Sequence, residues 1–405
     1  MRLFPLIPFT VGVSLLAVAG CGLLDPHAAV ADIKPVWKIE DPEGWGGYGP
    51  LSPVGDMVIT SYPYSPWAIG IDLKSRQFKW RHSNYVNRRR SVSTKDGFFY
   101  TYEGDKGQNV PYRLWIARVD TGELVRGVAL PNPSGVDSIE NYPIVSGDKL
   151  FVVSEKVLVS YDISDAVDPK ELWRVQLISG ATIMRVDPDG DVYVGFSDRG
   201  SKEWRENASL YKYSGEDGSL IWKAFTKYSD LNRSGDVKSW YEGTESIGFD
   251  GDRVIVSAGA TLQAFDRRTG QRLWVSPEVQ CGGVVEGGFG GPLEFGGGKA
   301  YLLRNSNVCF HAFNLSDGSI AWTVDAGQVA PWAKVTFGAA NQKALYHNGV
   351  VYASNEHLWA VEAATGKVLA VSRTRAYQAT STAPILYNGE VIVNGNPIYA
   401  YKPLR

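Results

Sequence analysis

The stretch Asp266-Arg267-Arg268-Thr269-Gly270-Gln271-Arg272-Leu273-Trp274 decides the fold, because variants of it recur along the chain. In four copies a polar residue is followed eight positions later by tryptophan, and three of these four have a glycine in the turn between them. The tryptophans of the series are Trp37, Trp80, Trp173, Trp222, Trp274 and Trp322, and Arg126 and Ala370 stand where two more would fall. Successive copies are 43 to 52 residues apart, a spacing typical of propeller blades and other repeat folds.

Each repeat also contains a hairpin before its signature turn. In the repeat that ends at Trp274, residues 246–256 form two apolar runs around Asp250-Gly251-Asp252, which predicts antiparallel strands joined by a tight turn. The middle strands, such as residues 253–258 and 261–265, are apolar on both sides, as expected for a sheet packed between two others. The sequence therefore predicts an all-β fold of stacked sheets, a β-propeller.

The number of blades follows from the two ends of the repeat region. Seven complete repeats end between Trp80 and Ala370, after which residues 389–401 supply two more strands. Residues 36–39 form an outer strand with no repeat before it. We predict that residues 32–405 form an eight-bladed β-propeller of four-stranded antiparallel blades, closed by pairing of the N- and C-terminal strands, which removes exposed edges. Seven blades is the alternative if that pairing does not form.

The signature resembles the pyrroloquinoline-quinone (PQQ)-like repeat, whose Asp-x-x-Thr-Gly-x-x-x-Trp pattern is matched by Asp266, Thr269, Gly270 and Trp274. The resemblance covers about residues 32–405. It implies that the six tryptophans of the series dock between neighbouring blades. The interfaces at Arg126 and Ala370, which lack this tryptophan, should then be the softer ones.

The N-terminal segment predicts export. An apolar run ends in Val18-Ala19-Gly20-Cys21-Gly22, which resembles the lipobox of bacterial lipoproteins. We assign residues 1–20 to a signal peptide, lipidation to Cys21 and a lipidated tether to residues 21–31. Diacylglycerol and palmitate-type acylation at Cys21 would anchor the propeller to the cell membrane or the outer membrane, outside the cytoplasm. An ordinary secretory signal with an incidental Cys21 is the alternative.

Two cysteines remain for the propeller itself. Outside the cytoplasm Cys281 and Cys309 can form a disulfide, and we predict that they do. Two separate thiols are the alternative, because the sequence does not show whether the two Cα atoms come within bridging distance.

Charge and motif content argue against two classes of function. The formal net charge of −2 gives no electrostatic footprint for nucleic acid. The five histidines are scattered and show no metal-ligand spacing, so we predict no metal, no cofactor and no catalytic residues. Residues 187–191 look like the start of a calcium loop but occupy a hairpin position, and we interpret them as a turn. Quinoprotein dehydrogenases resemble this chain in scaffold only. They hold quinone and calcium with carboxylates and an amide, and many add a disulfide of adjacent cysteines, which this chain lacks.

One face of the predicted propeller carries the long connections, and we call it the long-loop face. It comprises residues 61–67, 103–113, 197–207, 225–244, 276–291 and 325–342. Loops on a rigid scaffold carry function, and tryptophan and arginine are enriched in interface hot spots. The predicted binding residues on this face are Trp67, Arg88, Arg89, Arg90, Trp204, Trp240, Glu242 and Trp332. The alternative is that the aromatic rings cover the blade tops and the arginines form a solvated patch.

Three functions fit these features. The first is a non-catalytic scaffold of the cell envelope that holds a protein partner, because the anchor and the eight blades resemble the BamB-like family, which supports outer-membrane barrel assembly. The second is a carbohydrate or small-molecule binder, in which loop tryptophans stack on sugar rings and Glu242, Glu245 and Gln342 supply hydrogen bonds. The third is a quinone-dependent oxidoreductase. The scaffold is the favoured interpretation, on analogy of fold.

Overall fold

The protein is a ring of eight blades in a computed structural model. The structure describes residues 30–41, 49–61, 68–82, 92–105, 110–130, 142–154, 156–178, 180–181, 183–198, 209–226, 242–281, 284–285, 292–303, 309–333, 343–376 and 383–405. Each blade is a four-stranded antiparallel sheet whose strands follow one another in the chain, except in blade 8. The predicted all-β, eight-bladed propeller is confirmed.

The strands of each blade are given from the first to the fourth. They are, in blade 1, Ser52–Val54, Met57–Ser61, Ala68–Asp72 and Gln77–His82; in blade 2, Ser93–Lys95, Phe98–Asp105, Val110–Arg118 and Leu124–Ala129; in blade 3, Ile144–Ser146, Lys149–Ser154, Val157–Asp162 and Lys170–Gln176; in blade 4, Ile183–Val186, Val192–Gly195, Leu210–Tyr213 and Leu220–Ala224; in blade 5, Glu242–Asp250, Arg253–Ala258, Thr261–Asp266 and Arg272–Val275; in blade 6, Glu294–Gly296, Lys299–Leu303, Cys309–Asn314 and Ile320–Asp325; in blade 7, Leu345–His347, Val350–Ser354, Leu358–Glu362 and Val368–Val371; in blade 8, Ile385–Tyr387, Glu390–Val393, Ile398–Tyr401 and Pro35–Ile39.

A few short elements lie outside the blades. Ser197–Asp198 pairs with the start of the first strand of blade 5, and Gln280–Cys281 pairs with Val284–Val285. Helix Ala326–Val329 and the 3-10 turn Pro331–Ala333 follow blade 6. Within the described ranges, no helix has the length and apolar character needed to cross a membrane.

The N-terminal strand closes the ring as predicted. Pro35–Ile39 is the fourth strand of blade 8 and pairs antiparallel with Ile398–Tyr401, with Trp37 opposite Ala400 and Ile39 opposite Ile398. The first strand of the described chain therefore completes a sheet begun by the last three.

The hydrophobic core is divided among the blade interfaces. The described residues form eight buried clusters, and each cluster joins two neighbouring blades. The middle strands supply both sides of a blade, so that all five residues of Val350–Ser354 are buried. This division is typical of repeat proteins, in which each unit packs only against its neighbours.

The signature turn has a local physical cause. The carboxylate of Asp266 accepts hydrogen bonds from the backbone N–H of Thr269 at 2.7 Å and from its hydroxyl at 2.7 Å. These bonds lower the pKa of Asp266, so the residue stays ionised and stabilises the turn. Gly270 has a positive φ of 72°, which the turn requires and which glycine adopts without steric cost.

The tryptophans of the series lie on the turn glycine of the next blade. Trp322 of blade 6 packs against Gly366 of blade 7 and donates its indole N–H to the carbonyl of Ala363 at 3.0 Å. A Cβ on Gly366 would come within 2.7 Å of the Trp322 ring. Trp80, Trp173, Trp222 and Trp274 repeat this arrangement on Gly122, Gly218, Gly270 and Gly318. The indole therefore explains why the turn carries glycine.

Trp37, at the closing interface, differs from the other five. Its indole N–H is bonded to the Glu390 carboxylate of its own blade at 2.7 Å. The guanidinium of Arg76 from blade 1 lies 4.9 Å from the ring centroid of Trp37. At this interface a cation–π contact therefore replaces the packing of the indole on a turn glycine.

The two interfaces without a tryptophan are built in different ways. Arg126 of blade 2 is exposed and pairs with Asp168 of blade 3. Ala370 of blade 7 is 1% exposed and shares a buried cluster with Ile33 from the N-terminal segment, while Ala31 bridges to Ala370. The N-terminal segment thus fills the space at blade 7. We therefore expect the interface between blades 2 and 3 to be the less stable of the two.

Residues 187–191 form a turn, in which Gly190 N–H bonds to the Asp187 carbonyl at 3.0 Å. Lys212 and Arg267 pair with its carboxylates, so cations of the protein itself occupy the position that a calcium ion would need.

The prediction that residues 103–113 form a loop is mostly wrong. The second and third strands of blade 2 extend into it, with Glu103 opposite Arg113, because cross-strand pairing continues past the blade.

Candidate interaction surface and central cavity

The long-loop face is only partly described. Trp67, Arg88, Arg89, Arg90, Trp204 and Trp240 lie outside the described residues, as do Cys21, the signal segment and the tether up to residue 29. Glu242 begins the first strand of blade 5. Trp332 is the one predicted binding tryptophan whose surroundings the described ranges contain, and the candidate surface is built around it.

Two short helical segments hold Trp332 at the surface. Asp325 caps helix Ala326–Val329 by accepting the backbone N–H of Gly327 at 2.9 Å. Ala326, Ala330 and Ala333 are fully buried in the cluster between blades 6 and 7. Because these alanines face inward, the Trp332 side chain points outward and is 44% exposed.

The ring of Trp332 is supported on two sides. His357 meets it edge-on with ring centroids 5.4 Å apart, and the guanidinium of Arg373 lies 5.4 Å from its centroid. Arg373 is anchored through its backbone N–H, which donates to the Asp32 carboxylate at 2.9 Å. Nearby, Arg375 pairs with Glu356. We call Trp332, Glu356, Arg373 and Arg375 the Trp332 surface.

A buried polar layer lies under this surface. His357 is 6% exposed, and its Nδ1 is 2.9 Å from the Ser372 carbonyl. Burial lowers the pKa of His357, and the cation of Arg375 adds to this effect, so the ring is neutral near pH 7. Asn355 accepts the indole N–H of Trp359 at 2.8 Å and donates to the Ala333 carbonyl at 3.4 Å. Three separate loops are thereby joined beneath one exposed tryptophan.

The sequence indicated Trp332 but not its neighbours. Arg373 and His357 stand in connections of blade 7 that contain no motif, and only the fold brings them to Trp332. The position of Arg373 could have indicated its place on the long-loop face. It lies two residues after the fourth strand of blade 7, where the connection to the next blade begins.

A disulfide joins Cys281 and Cys309, with the Cα atoms 5.9 Å apart. Cys309 is fully buried at the start of the third strand of blade 6, and Cys281 belongs to the connection that enters this blade. The Asp325 carboxylate lies close to both sulfurs, all within 4.8 Å of one another, but bonded sulfurs offer no thiolate to a metal. The bond fixes the connection to the blade.

Replacing both cysteines with alanine is expected to lower the free energy of unfolding by about 3 kcal/mol, because the bond closes a long loop in the unfolded chain. The loop separates the two residues by 28 positions. Thermal unfolding followed by circular dichroism would measure this loss. The prediction would be contradicted if wild-type protein purified without reductant showed free thiols at Cys281 and Cys309 in denaturant and melted at the same temperature as the variant.

A cavity of about 550 Å³ lies at the centre of the ring. First strands or the residues just before them line it in seven of the eight blades. Its lining residues are Pro50, Leu51, Pro53, Tyr142, Arg185, Ile247, Gly248, Phe249, Pro292, Leu293, Glu294, Phe295, Lys343, Ala344, Leu345, Ala383, Pro384, Ile385 and Leu386. Residues such as Leu51 and Pro292 precede first strands, which places the cavity toward the long-loop face.

The described lining does not fit a quinone–calcium group. Such a group needs several carboxylates and an amide, whereas Glu294 is the single carboxylate in the described lining. Its oxygens are already used, one by Lys343 at 2.6 Å and one by the backbone N–H of Tyr346 at 3.0 Å.

The C-terminal part of the chain resembles a known family. The model of a family described as outer membrane protein assembly factor BamB, built on PQQ-like repeats, matches residues 258–402. A search of curated protein sequences finds no match. The chain is an eight-bladed propeller, as predicted, and its residues 258–402 match this model of PQQ-like repeats.

Several solved structures share the fold of this chain at low sequence identity. BamB from Moraxella catarrhalis is 12% identical, with 93% of this chain and 99% of that one covered and a TM-score of 0.60. A europium-containing methanol dehydrogenase is 13% identical, with coverages of 90% and 85% and a TM-score of 0.62. Quinohemoprotein alcohol dehydrogenase from Comamonas testosteroni is 14% identical, with coverages of 94% and 78% and a TM-score of 0.62. The fold is thus common to BamB and to dehydrogenases, and the family match shows the predicted resemblance to the BamB-like family.

Proposed function

We propose that this chain is a non-catalytic scaffold of the cell envelope that holds a protein partner on its long-loop face. The observation that carries the proposal is the exposed Trp332, which contacts His357 edge-on and is flanked by Arg373. A rigid aromatic anchor beside an arginine is the typical composition of an interface hot spot. The match to a family of assembly factors supports a role in envelope protein assembly.

The proposed lipid anchor would place this surface near a membrane. Val30 packs against the cluster between blades 6 and 7, and the Ala31 carbonyl accepts the backbone N–H of Val371 at 2.9 Å. Asp32 then contacts Arg373, so the N-terminal segment joins the body beside the Trp332 surface. Eight residues separate Cys21 from Val30, so a lipidated Cys21 would hold the partner-binding surface close to the lipid.

Photo-crosslinking at residue 332 in native membranes tests the proposal. A benzoyl-phenylalanine side chain at this position should capture one protein in stoichiometric amount. Trp332→Ala, Arg373→Ala and the Trp240→Ala/Trp332→Ala double variant should lose co-purification of that protein while keeping the wild-type melting temperature. Leu273→Ala is the matched control, because Leu273 is 48% exposed on the outer strand of blade 5, away from this surface.

Each outcome bears on the proposal. Loss in the Trp332 and Arg373 variants, with retention in Leu273→Ala, would support it. Equal recovery of the partner from all variants would reject the Trp332 surface as the interface. If the crosslinking side chain at residue 332 captures no protein in native membranes and none co-purifies with the wild type, the scaffold proposal fails. Cys21→Ser should release the protein from the membrane fraction, and retention there would reject the anchor.

A further inference from the structure

The central cavity has the composition of a ligand site rather than of a packed core. Its volume of about 550 Å³ lies within the usual range of small-molecule pockets. Most of its wall is apolar, and a few polar groups converge on it, which is the usual design of such sites. We propose that the cavity binds a small amphipathic carboxylate, with the carboxylate on Arg185 and the apolar body against the surrounding first strands.

The charged side chains in the described cavity lining favour an anionic ligand. The positive charge of Lys343 is balanced by Glu294 at 2.6 Å. Among the described residues the Arg185 guanidinium contacts the Met184 carbonyl and the Tyr142 ring, and it pairs with no described carboxylate. Among the described lining residues, Arg185 therefore carries the one positive charge that no carboxylate balances, and this charge matches one negative charge on a ligand.

Arg185 is positioned to receive that charge. Its Nη1 donates to the Met184 carbonyl at 2.8 Å, and the guanidinium lies 5.4 Å from the ring centroid of Tyr142. A guanidinium has five N–H donors, so most of its donors remain for a ligand. Its fork geometry matches a carboxylate, and the half-buried position strengthens the pairing over that in water.

The rest of the wall selects an apolar body. Leu51, Ile247, Phe249, Leu293 and Phe295 come from blades 1, 5 and 6, and Leu345 and Ile385 from blades 7 and 8. A polyanion such as a nucleotide would bring several charges to one guanidinium and would place polar groups against these side chains, at the desolvation cost of unpaired groups. The site therefore fits an apolar monocarboxylate.

Isothermal titration with 2-naphthoate tests the site in the full chain. Arg185→Gln should weaken binding about ten- to hundred-fold, the effect expected when a hydrogen bond to a charged group is lost. Arg185→Lys should give an intermediate affinity. The uncharged analogue 2-naphthamide should bind more weakly than 2-naphthoate to the wild type and should show no loss in Arg185→Gln. Arg272→Gln, on the outer strand of blade 5, is the matched control and should bind like the wild type.

The outcomes separate this site from the protein-binding surface. No saturable binding of 2-naphthoate to the wild type, or equal affinity in Arg185→Gln, would overturn the proposal. Arg185→Gln should leave crosslinking at residue 332 unchanged, because Arg185 belongs to blade 4 and the Trp332 surface belongs to the connections around blade 7. Failure of the scaffold proposal and failure of the cavity proposal are therefore distinguishable.

Discussion

Deletion of residues 32–40 is expected to open the ring and abolish the cooperative unfolding of the propeller. The deleted segment supplies the fourth strand of blade 8 and buries Ile33 and Ile39, which are 6% and 4% exposed. Each buried aliphatic side chain contributes about 1.5 to 3 kcal/mol, and Ile398–Tyr401 becomes an exposed sheet edge, so the loss approaches the total stability of a typical domain. Differential scanning calorimetry would show a broad transition at a much lower temperature, or none.

A shorter truncation provides the control for the ring deletion. Removal of residues 1–29 leaves the closing strand and the Ala31–Ala370 bridge in place, so its transition should match that of the longer chain. A deletion of residues 32–40 that melts like this control would show that blade 8 does not need its N-terminal strand.

The repeat architecture could be predicted because the residues that specify it lie close together in short stretches of sequence. The signature turn is stabilised by contacts within a few residues, such as those of Asp266 with Thr269, and five of the six tryptophans of the series meet a glycine in the next copy of the same motif. A short-range signal repeated along the chain specifies both the blade and its neighbour. The closing strand was predictable for the same reason, since residues 36–39 are a fragment of a repeat.

The candidate site was much less predictable. Trp332 could be selected by residue type and loop position, but Arg373 and His357 reach it from other connections. The central cavity gave no sequence signal, because each blade contributes only a short first strand. Arg185 of blade 4 and Tyr142, just before blade 3, meet because the ring brings successive first strands together. The N-terminal segment at Ala370 was equally hidden, since nothing in residues 30–33 resembles the repeat.

Trp322→Ala is expected to lower the free energy of unfolding by about 3 to 5 kcal/mol, as for other buried aromatic truncations. Trp322 is 8% exposed, and its ring centroid is 5.1 Å from that of Phe310 and 5.9 Å from that of Tyr301. Trp322→Phe keeps an aromatic ring but loses the N–H bond to Ala363, so its effect should be smaller. Chemical denaturation followed by circular dichroism would rank the two, with Leu273→Ala as an exposed control near zero.

Gly366→Ala tests whether the indole and the glycine form one interaction unit. In the wild type the added Cβ meets Trp322 at 2.7 Å in a residue with φ of 77°, so both a clash and backbone strain result. In the Trp322→Ala background the clash is gone, and only the strain of about 1 kcal/mol remains. The two substitutions should therefore be less destabilising together than the sum of their separate effects. Additive effects would mean that Gly366 serves the turn alone, and the tryptophan would then not be the reason that glycine occupies this position.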